Sequence, residues 1–208
     1  AGGPAKVSIF GSALFGMISG SSIANTVTVG SLTIPAMIRI GYRRHFAAAV
    51  ESTASTGGQI TPPVMGAAAF LMIEFLGVPY QTIILAAIVP AFMHFFGVFM
   101  QVHFEARRHG LRGLPPEDIP DPRAVLREGW PTVFPLLLLI GILLSGYTPY
   151  LAAFWGITSC VVVGFLNPRR RLTIPDLVDG FVTGAKYALA VGAAAAAVGI
   201  VVGVVTLT

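Results

Sequence analysis

The sequence predicts an all-α integral membrane protein, and three observations support that fold class. Hydrophobic residues make up 55% of the 208-residue chain and charged residues only 11%, with a mean hydropathy of +0.81, whereas a soluble domain carries roughly 25% charged residues. Three windows without a charged residue are each longer than the ~20 residues of a spanning helix: 7–38, 75–104 and 129–168. Polar stretches interrupt two apolar segments near the N-terminus. We therefore expect a re-entrant helical hairpin plus about five transmembrane helices.

The first apolar segment, 6–39, is expected to form the re-entrant hairpin, with arms at 6–24 and 27–39 around a polar centre. The next segment, 46–76, is expected to be a membrane span that is broken near Gly57–Pro63. In a bilayer, irregular backbone is tolerated only where protein buries it or where it lines a wet cavity. Two such interruptions in neighbouring segments are typical of the ion and substrate site of a secondary transporter.

Four further segments follow the broken span. Residues 81–104 are expected to form a connecting transmembrane helix, and 105–130 a Pro-rich, charged connector that lies on the cytoplasmic surface as an amphipathic segment. Residues 131–175 are expected to form a pair of scaffold helices, joined by the tight turn GYTPY and followed by an arginine-rich loop. Residues 176–208 begin another section, with a span at 182–206. Because the chain stops inside this apolar helix, we expect it to be a fragment of a longer protein.

The basic residues support this topology. If the hairpin returns the chain to its starting side, all but one of the 13 Lys and Arg residues fall on one face of the membrane, which the positive-inside rule makes cytoplasmic. These residues are Lys6, Arg39, Arg43, Arg44, Arg107, Arg108, Arg112, Arg123, Arg127, Arg169, Arg170 and Arg171. Lys186 is the exception, and an interfacial, snorkelling lysine is favoured there over a functional one at membrane depth. Basic residues in short loops between apolar spans do not indicate a nucleic-acid partner.

The polar centre of the hairpin predicts a cation and substrate site. Close helix packing would explain its Gly and Ser residues, but it does not explain Asn25, Thr28 and Ser31 in one charge-free window. A hairpin tip exposes carbonyls and helix ends, which together with hydroxyls make a hard-oxygen site suited to Na⁺. The N-terminus of a half-helix also presents N–H groups to a carboxylate. The candidate residues are Ser19, Gly20, Ser21, Ser22, Asn25 and Thr26.

The break in the next span predicts the other part of this site. Pro62 and Pro63 cannot donate backbone hydrogen bonds, so the carbonyls around Gly58 and Gln59 are expected to be free. A proline kink is the alternative, but paired glycines with paired prolines favour true unwinding. The candidate residues are Thr56, Gly57, Gly58, Gln59, Thr61 and Pro62. A Na⁺ ion would take its ligands from Ser19, Ser21, Ser22, Gly58 and Thr61.

Two ionisable side chains lie within the predicted spans. Glu51 is either a functional residue, as intramembrane carboxylates commonly are, or the partner of a salt bridge with Arg43 or Arg44. For His94, a hydrogen-bonded structural role is favoured over a proton relay, because the sequence places no carboxylate nearby. Aromatic residues near the span ends are assigned to membrane positioning, and they are Tyr80, Trp130, Tyr147, Tyr150 and Trp155.

Three strings resemble the large, DctM-like membrane subunit of the tripartite ATP-independent periplasmic (TRAP) transporters: GGPAKV, SGSSIANTVTVGSLTIPAMIRIGY and FAAAVESTASTGGQITPPVMGAAAF. They are most similar to the fused-permease branch that works with TAXI-type binding proteins. The similarity is dense over residues 2–76 and looser over 105–180. It implies an elevator-type carrier with two inverted repeats, in which residues 1–80 are half of the transport domain and 176–208 begin the second repeat.

The resemblance also implies the activity and its partners. A periplasmic binding protein would deliver the substrate, commonly a small organic carboxylate, and a Na⁺ or H⁺ gradient would drive uptake across the bacterial inner membrane. A small membrane subunit or its fused equivalent would complete the permease, with no organic cofactor. In the family, the hairpin tip and the broken helix hold one cation site and half of the substrate site. Carried over by motif, these are Ser19, Ser21, Ser22, Asn25, Gly57, Gly58, Thr61 and Pro62.

Two other functions compete with this interpretation. A stand-alone Na⁺/dicarboxylate symporter, which needs no binding protein, has similar hairpin tips. An intramembrane serine hydrolase would use Ser21 or Ser22 as the nucleophile, with a histidine base within hydrogen-bond reach. His94 is the one mid-membrane candidate for that base, and the GxSxG elbow is missing. The sequence therefore favours a transporter and not an enzyme.

Overall fold

The computed structural model describes residues 2–111, 113, 121–167 and 171–207. These residues form eight helices and no strand: α1 Gly3–Ser19, α2 Ser22–Arg39, α3 Arg44–Gly58, α4 Ala67–Leu76, α5 Tyr80–Arg108, α6 Pro122–Leu144, α7 Pro149–Leu166 and α8 Ile174–Leu207. The all-α fold class is thus confirmed. The chain divides into two compact units, Ala1–Glu128 and Gly129–Thr208.

The segment predicted to be the connector, 105–130, begins and ends in helices. Helix α5 continues to Arg108, and α6 already begins at Pro122, so helical residues occupy both ends of the predicted segment. Its Pro-rich centre, 114–120, lies outside the described residues. The same is true of three of the predicted cytoplasmic arginines, Arg112, Arg169 and Arg170.

Helices α1 and α2 form a helical hairpin with a two-residue turn. Gly20 ends α1 in the left-handed conformation, with φ of 61°, and its N–H donates to Gly16 O. Ser21 is extended and caps α2, because its Oγ accepts from Ala24 N–H over 3.2 Å. Serine caps and left-handed glycines are strong helix boundaries. The predicted arm boundaries were therefore wrong, since the turn lies at Gly20–Ser21 and α2 begins at Ser22.

The segment predicted to be a broken span is interrupted after α3. Helix α3 ends at Gly58 and α4 begins at Ala67, so residues 59–66 are non-helical backbone between two short helices of 15 and 10 residues. Gly66, which precedes α4, is extended. The non-helical segment is as long as about two helical turns, which is more than a proline kink requires.

Helix α3 is the centre of the first unit, and α1, α2 and α5 pack against it. The core between them consists mainly of small and branched side chains: Ala5, Ile9, Met37, Tyr42, Ala47, Val50, Ala54, Val98, Val102 and Ala106. A Cβ added to Gly58 would lie 2.6 Å from Gly16 Cα, and one added to Gly30 would lie 2.9 Å from Glu51 Cγ. Since such distances are too short for non-bonded carbon atoms, these glycines allow α1 and α2 to approach α3 closely.

Among the described residues, three helices are long and apolar enough to cross a membrane: Tyr80–Arg108, Pro149–Leu166 and Ile174–Val205. A shorter apolar helical segment covers Gly129–Leu144. The broken segment consists of the two short helices α3 and α4 and does not form one continuous span. These lengths support a multi-pass membrane protein.

In the second unit, helix α8 begins earlier than the predicted span at 182–206. Thr173 N–H donates to Asp176 Oδ2 over 3.0 Å, and Asp176 N–H returns to Thr173 Oγ1 over 3.4 Å. These reciprocal bonds form a capping box, which starts a helix at this position. Helix α8 therefore begins at Ile174, and Lys186 lies exposed within it.

The glycine contact between α1 and α3 yields a first prediction. Gly58→Ala should lower the free energy of unfolding by about 1–3 kcal/mol, because the new methyl group overlaps the backbone of Gly16. Gly97→Ala is the matched control, since a Cβ at Gly97 in α5 has no neighbour within 4 Å. Thermal unfolding of the two variants in detergent measures the difference. Equal melting temperatures would contradict the packing described for α1 and α3.

Candidate functional site

The turn of the hairpin and the break after α3 lie against each other. In the break, Gln59 Nε2 donates to Ser22 Oγ at the start of α2 over 2.8 Å. A Cβ added to Gly66 would lie 3.2 Å from the carbonyl oxygen of Gly20, so the two backbones are in close contact. The structure therefore brings together the two polar stretches that the sequence analysis selected.

Met65 marks this contact by its backbone conformation. Its φ is 61°, a left-handed value that a non-glycine residue adopts uncommonly. The side chain is almost completely buried, so the surrounding structure holds the residue in place. Left-handed non-glycine residues concentrate at binding sites and switch regions, which singles out the segment between Gln59 and Gly66.

Three hydroxyls of the hairpin tip each accept a hydrogen bond. Ser21 Oγ accepts from Ala24 N–H over 3.2 Å, Ser19 Oγ accepts from Ser21 N–H over 3.4 Å, and Ser22 Oγ accepts from Gln59. A hydroxyl that accepts one bond keeps its own proton and a second lone pair for another partner. The remaining tip candidate, Thr26, is half-buried on α2.

The expectation of free carbonyls in the break is wrong. Gly58 O accepts from Thr61 N–H over 3.2 Å, and Gln59 O accepts from Gly66 N–H over 2.7 Å. The reason is that the chain tightens beyond α3 into a further turn and then folds back, which brings donors from outside the helix to both carbonyls. Thr61 Oγ1 also donates to Gly57 O over 2.7 Å.

The outer candidates of the break have other surroundings. Thr56 is exposed, and its Oγ1 donates to Ser52 O over 2.9 Å on the same helix. Pro62 lines an apolar pocket of about 320 Å³ together with Thr61 and side chains of α1 and α5: Ile9, Phe10, Ala13, Ile88, Ala91, Phe92 and Phe95. This lining provides almost no donor for an anionic ligand. The pocket is therefore separate in character from the polar contact between Gln59 and Ser22.

Asn25 connects the tip to the helix crossing. It is fully buried in α2, and its Nδ2 donates to Ser12 O over 2.8 Å. Its Oδ1 has no hydrogen-bond partner within the described structure. Among the described residues there is no cluster of three or more His, Cys, Asp or Glu, so a cation near the tip would depend on hydroxyl, carbonyl and amide oxygens, which suit hard cations.

Glu51 is the second polar centre of this unit. The residue is fully buried in α3, and four hydroxyls surround its carboxylate. Ser8 and Ser12 of α1 each donate over 2.6 Å, to Oε2 and Oε1 respectively. Ser55 donates to Oε1 over 3.1 Å, and Thr33 of α2 donates to Oε2. The carboxylate therefore joins α1, α2 and α3.

Neither sequence interpretation of Glu51 included this arrangement. The salt bridge with Arg43 or Arg44, which was one of the two alternatives, is absent from the described structure, because both arginines are exposed while Glu51 is enclosed. Ser8 and Ser12 were also not among the predicted site residues. Their spacing was a usable signal, since Ser8, Ser12 and Gly16 recur every four residues and so share one face of α1.

The structural role favoured for His94 is supported by a hydrogen bond. His94 Nε2 on α5 lies 3.0 Å from Thr53 O on α3. A Cβ added to Gly57 would lie 2.6 Å from the same nitrogen, so the glycine provides the space for the imidazole. This contact joins α5 to α3 just before the break.

The assignment of Tyr80 to the membrane surface is wrong. Only 3% of the residue is exposed, and its ring stacks on Phe70 with centroids 5.1 Å apart. Its hydroxyl lies 2.6 Å from Val64 O and 3.0 Å from Pro63 O, so it holds the non-helical backbone of the break. The other aromatic residues of that group are more than two-fifths exposed: Trp130, Tyr147, Tyr150 and Trp155.

A broken helix that contacts a second helix end is typical of the binding sites of secondary transporters. The sequence model of one family, described as "Tripartite ATP-independent periplasmic transporter, DctM component", matches residues 1–208. The chain therefore belongs to this family of TRAP transporter membrane components. This membership agrees with the predicted transporter class.

Curated relatives agree with the family. The isethionate TRAP transporter permease protein DctMQ of Oleidesulfovibrio alaskensis is 31% identical over 200 residues, which cover 88% of this chain and 29% of the relative. The C4-dicarboxylate TRAP transporter large permease protein DctM of Pseudomonas aeruginosa is 28% identical over 177 residues, which cover 83% of this chain and 40% of the relative. The ectoine/5-hydroxyectoine TRAP transporter large permease protein UehC of Ruegeria pomeroyi is 26% identical over 189 residues, which cover 88% of this chain and 43% of the relative. The chain thus spans less than half the length of these relatives. No solved structure matches it.

The serine hydrolase interpretation is not supported by the side-chain contacts. Ser21 Oγ caps α2, and Ser22 Oγ bonds Gln59. His94, the histidine that would act as base, bonds the backbone of Thr53 instead. A nucleophilic serine requires a base within hydrogen-bond reach, and neither serine has one among the described residues.

The contact of Tyr80 with the break yields a second prediction. Tyr80→Phe should lower the free energy of unfolding by about 1 kcal/mol, because a buried carbonyl loses its donor while the ring stacking remains. Tyr150→Phe is the matched control, since Tyr150 is 87% exposed. Thermal unfolding of both variants in the same detergent tests the expectation. A melting temperature for Tyr80→Phe equal to that of the control would show that the hydroxyl does not hold the break.

Proposed function

We propose that this chain forms the first half of the transport unit of a TRAP permease that takes up a small organic carboxylate across the bacterial inner membrane. A Na⁺ or H⁺ gradient drives the uptake, and the arginine-rich loops face the cytoplasm. The observation that carries the proposal is the contact between the hairpin turn and the break after α3, made by Gln59 and Ser22. Function at this contact follows from the helix ends that meet there.

Helix ends of opposite polarity meet at this contact. Helix α2 begins at Ser22, so its positive dipole end faces the break, while α3 ends at Gly58 with its negative end nearby. Positive ends favour the acid group of a substrate, and negative ends with free lone pairs favour a cation. A pair of such ends at one place suits the joint binding of a carboxylate and its coupling ion.

The cation part of the site is proposed to use the tip hydroxyls and the end of α3: Ser19, Ser21, Ser22, Gly58 and Thr61. Each of the three serine hydroxyls retains a lone pair beyond its present hydrogen bond. The buried Asn25 Oδ1, which has no partner in the described part of the chain, lies on the same hairpin. These neutral oxygens suit a monovalent or hard cation better than a transition metal.

The names of the relatives support the proposed substrate class. Their names specify isethionate, C4-dicarboxylate and ectoine as the transported molecules, and each of these carries an acid group. We extend this to a small organic acid for the present chain. A periplasmic binding protein, of TAXI type by the sequence resemblance, would deliver it, and a small membrane subunit or a fused equivalent would complete the permease. The proposal includes two inverted repeats and an elevator-type motion of the transport domain.

Uptake by proteoliposomes tests the function. The complete permease that contains this sequence is reconstituted with its binding protein outside, and Na⁺ and H⁺ gradients are imposed in turn with labelled dicarboxylates. Uptake that requires both the binding protein and one gradient is expected. Uptake that proceeds without the binding protein would instead identify a stand-alone symporter.

Two substitutions at the contact give a third prediction. Ser21→Ala removes the cap of α2 and one proposed cation ligand, and Gly58→Leu cannot fit against Gly16, so both should abolish uptake. Ser52→Ala, on the exposed side of α3, and Gly97→Leu, in open space on α5, are the matched controls. Membrane insertion of each variant is measured alongside uptake. Normal uptake in Ser21→Ala and Gly58→Leu would refute the site.

A further inference from the structure

We propose that Glu51 is a reversible proton-binding site at the crossing of α1, α2 and α3. No role for this carboxylate follows from the site at the hairpin turn, because none of its four partners belongs to that site. The binding of a proton stands on the geometry around Glu51 alone. Its use during transport rests on the proposed function.

The first support is the burial of the carboxylate. Glu51 is fully buried, and its partners are the hydroxyls of Ser8, Ser12, Thr33 and Ser55. An ionised carboxylate in such surroundings is stable only when hydrogen bonds satisfy both oxygens, and otherwise it takes up a proton. Here each oxygen has two hydroxyl neighbours, so the ionised form is fully hydrogen-bonded without a positively charged partner.

Thr33 allows the neutral form as well. Its Oγ1 lies within hydrogen-bonding distance of Glu51 Oε2 and 3.0 Å from Val29 O on the preceding turn of α2. A hydroxyl has one proton and can donate to only one of these acceptors at a time. When Thr33 donates to Glu51, the carboxylate can be ionised. When Thr33 donates to Val29 O, its oxygen can accept the proton of a neutral Glu51. The same side chains thus serve both states.

The charged and titratable groups on the surrounding helices are not among the described hydrogen-bond partners of Glu51. They are Arg44 and His45 on α3, Lys6 on α1, Arg39 on α2, and Tyr80, His94, His103, Glu105, Arg107 and Arg108 on α5. Lys6 Nζ lies 3.1 Å from His103 Nδ1, and Glu105 pairs with His109. Arg39, Arg44 and His45 are exposed. The four hydrogen bonds described for the Glu51 carboxylate come from neutral hydroxyls, and a proton can neutralise it.

The proton site is connected to the hairpin turn through Ser12. The hydroxyl of Ser12 donates to Glu51, and its carbonyl accepts from Asn25. Asn25 in turn lies at the close contact of Gly16 and Gly58, because its Nδ2 is 3.1 Å from a Cβ added to Gly58. A change in the hydrogen bonding of Glu51 therefore acts on the residues next to the proposed substrate and cation site.

Infrared spectroscopy tests proton binding directly. Acid-minus-base difference spectra of the purified full-length permease should contain the carbonyl-stretch band of a protonated carboxylic acid that Glu51→Gln removes. Glu105→Gln, at the partly exposed end of α5, is the matched control and should keep that band. Ser55→Ala, which removes the longest hydrogen bond to Oε1, should shift the band frequency. If Glu51→Gln does not fold, this shift assigns the band to Glu51. A spectrum without such a band, or a band unaffected by both Glu51→Gln and Ser55→Ala, would overturn the proposal.

Transport assays test whether the proton is used. Glu51→Gln, which resembles the protonated side chain permanently, should lose gradient-driven accumulation at least tenfold while keeping the exchange of internal for external substrate. A pH-sensitive dye inside the liposomes should report acidification with uptake by the wild-type protein and by Glu105→Gln, but not by Glu51→Gln. Accumulation by Glu51→Gln at the wild-type level, or loss of exchange together with accumulation, would contradict a coupling role.

The two proposals can fail separately in these experiments. If the wild-type permease shows no uptake that depends on the binding protein, the proposed function fails, and the infrared spectra still decide whether Glu51 binds a proton. If the wild-type permease accumulates substrate on a Na⁺ gradient without internal acidification, the proposed function stands and the coupling role of Glu51 is refuted.

Discussion

A single buried carboxylate joins the three helices on which the first unit depends. Glu51 is enclosed in α3 and bonded to hydroxyls of α1 and α2, so it specifies which faces of these helices meet. A buried polar group that loses its partner costs about 1–3 kcal/mol, and more when it is charged. The hydroxyls and the carboxylate therefore depend on each other, and the position of the hairpin on α3 follows from their pairing.

The glycine contacts complete this constraint. Gly30 lies beside Glu51, and Gly16 and Gly58 meet two turns further along α1 and α3. Because α1 and α3 contact each other at two positions along their axes, the two helices end at a similar level. The turn at Gly20 then meets the break at Gly66, and Gln59 reaches Ser22. The geometry of the candidate site is thus a result of packing one to two helical turns away from it.

The sequence predicted those features that local chemistry determines. The hairpin, the broken segment and the transport class follow from Gly, Pro and polar residues inside apolar windows. Interactions between distant residues could not be predicted in the same way. The carbonyls of Gly58 and Gln59 were expected to be free because Pro62 and Pro63 lack N–H groups, yet the chain folds back and supplies other donors. Tyr80 likewise has the sequence position of a surface aromatic residue, but its hydroxyl reaches a backbone carbonyl sixteen residues earlier.

The contact between α1 and α3 also restricts how these helices can move. A slide of α1 along α3 by one helical turn, about 5.4 Å, would leave Glu51 with one serine of α1 instead of two in either direction. In one direction it would also place the side chain of Ser12 against Gly58, where the backbones leave no space. A step of this size therefore removes a hydrogen bond of Glu51 in either direction, so these contacts fix the register between α1 and α3.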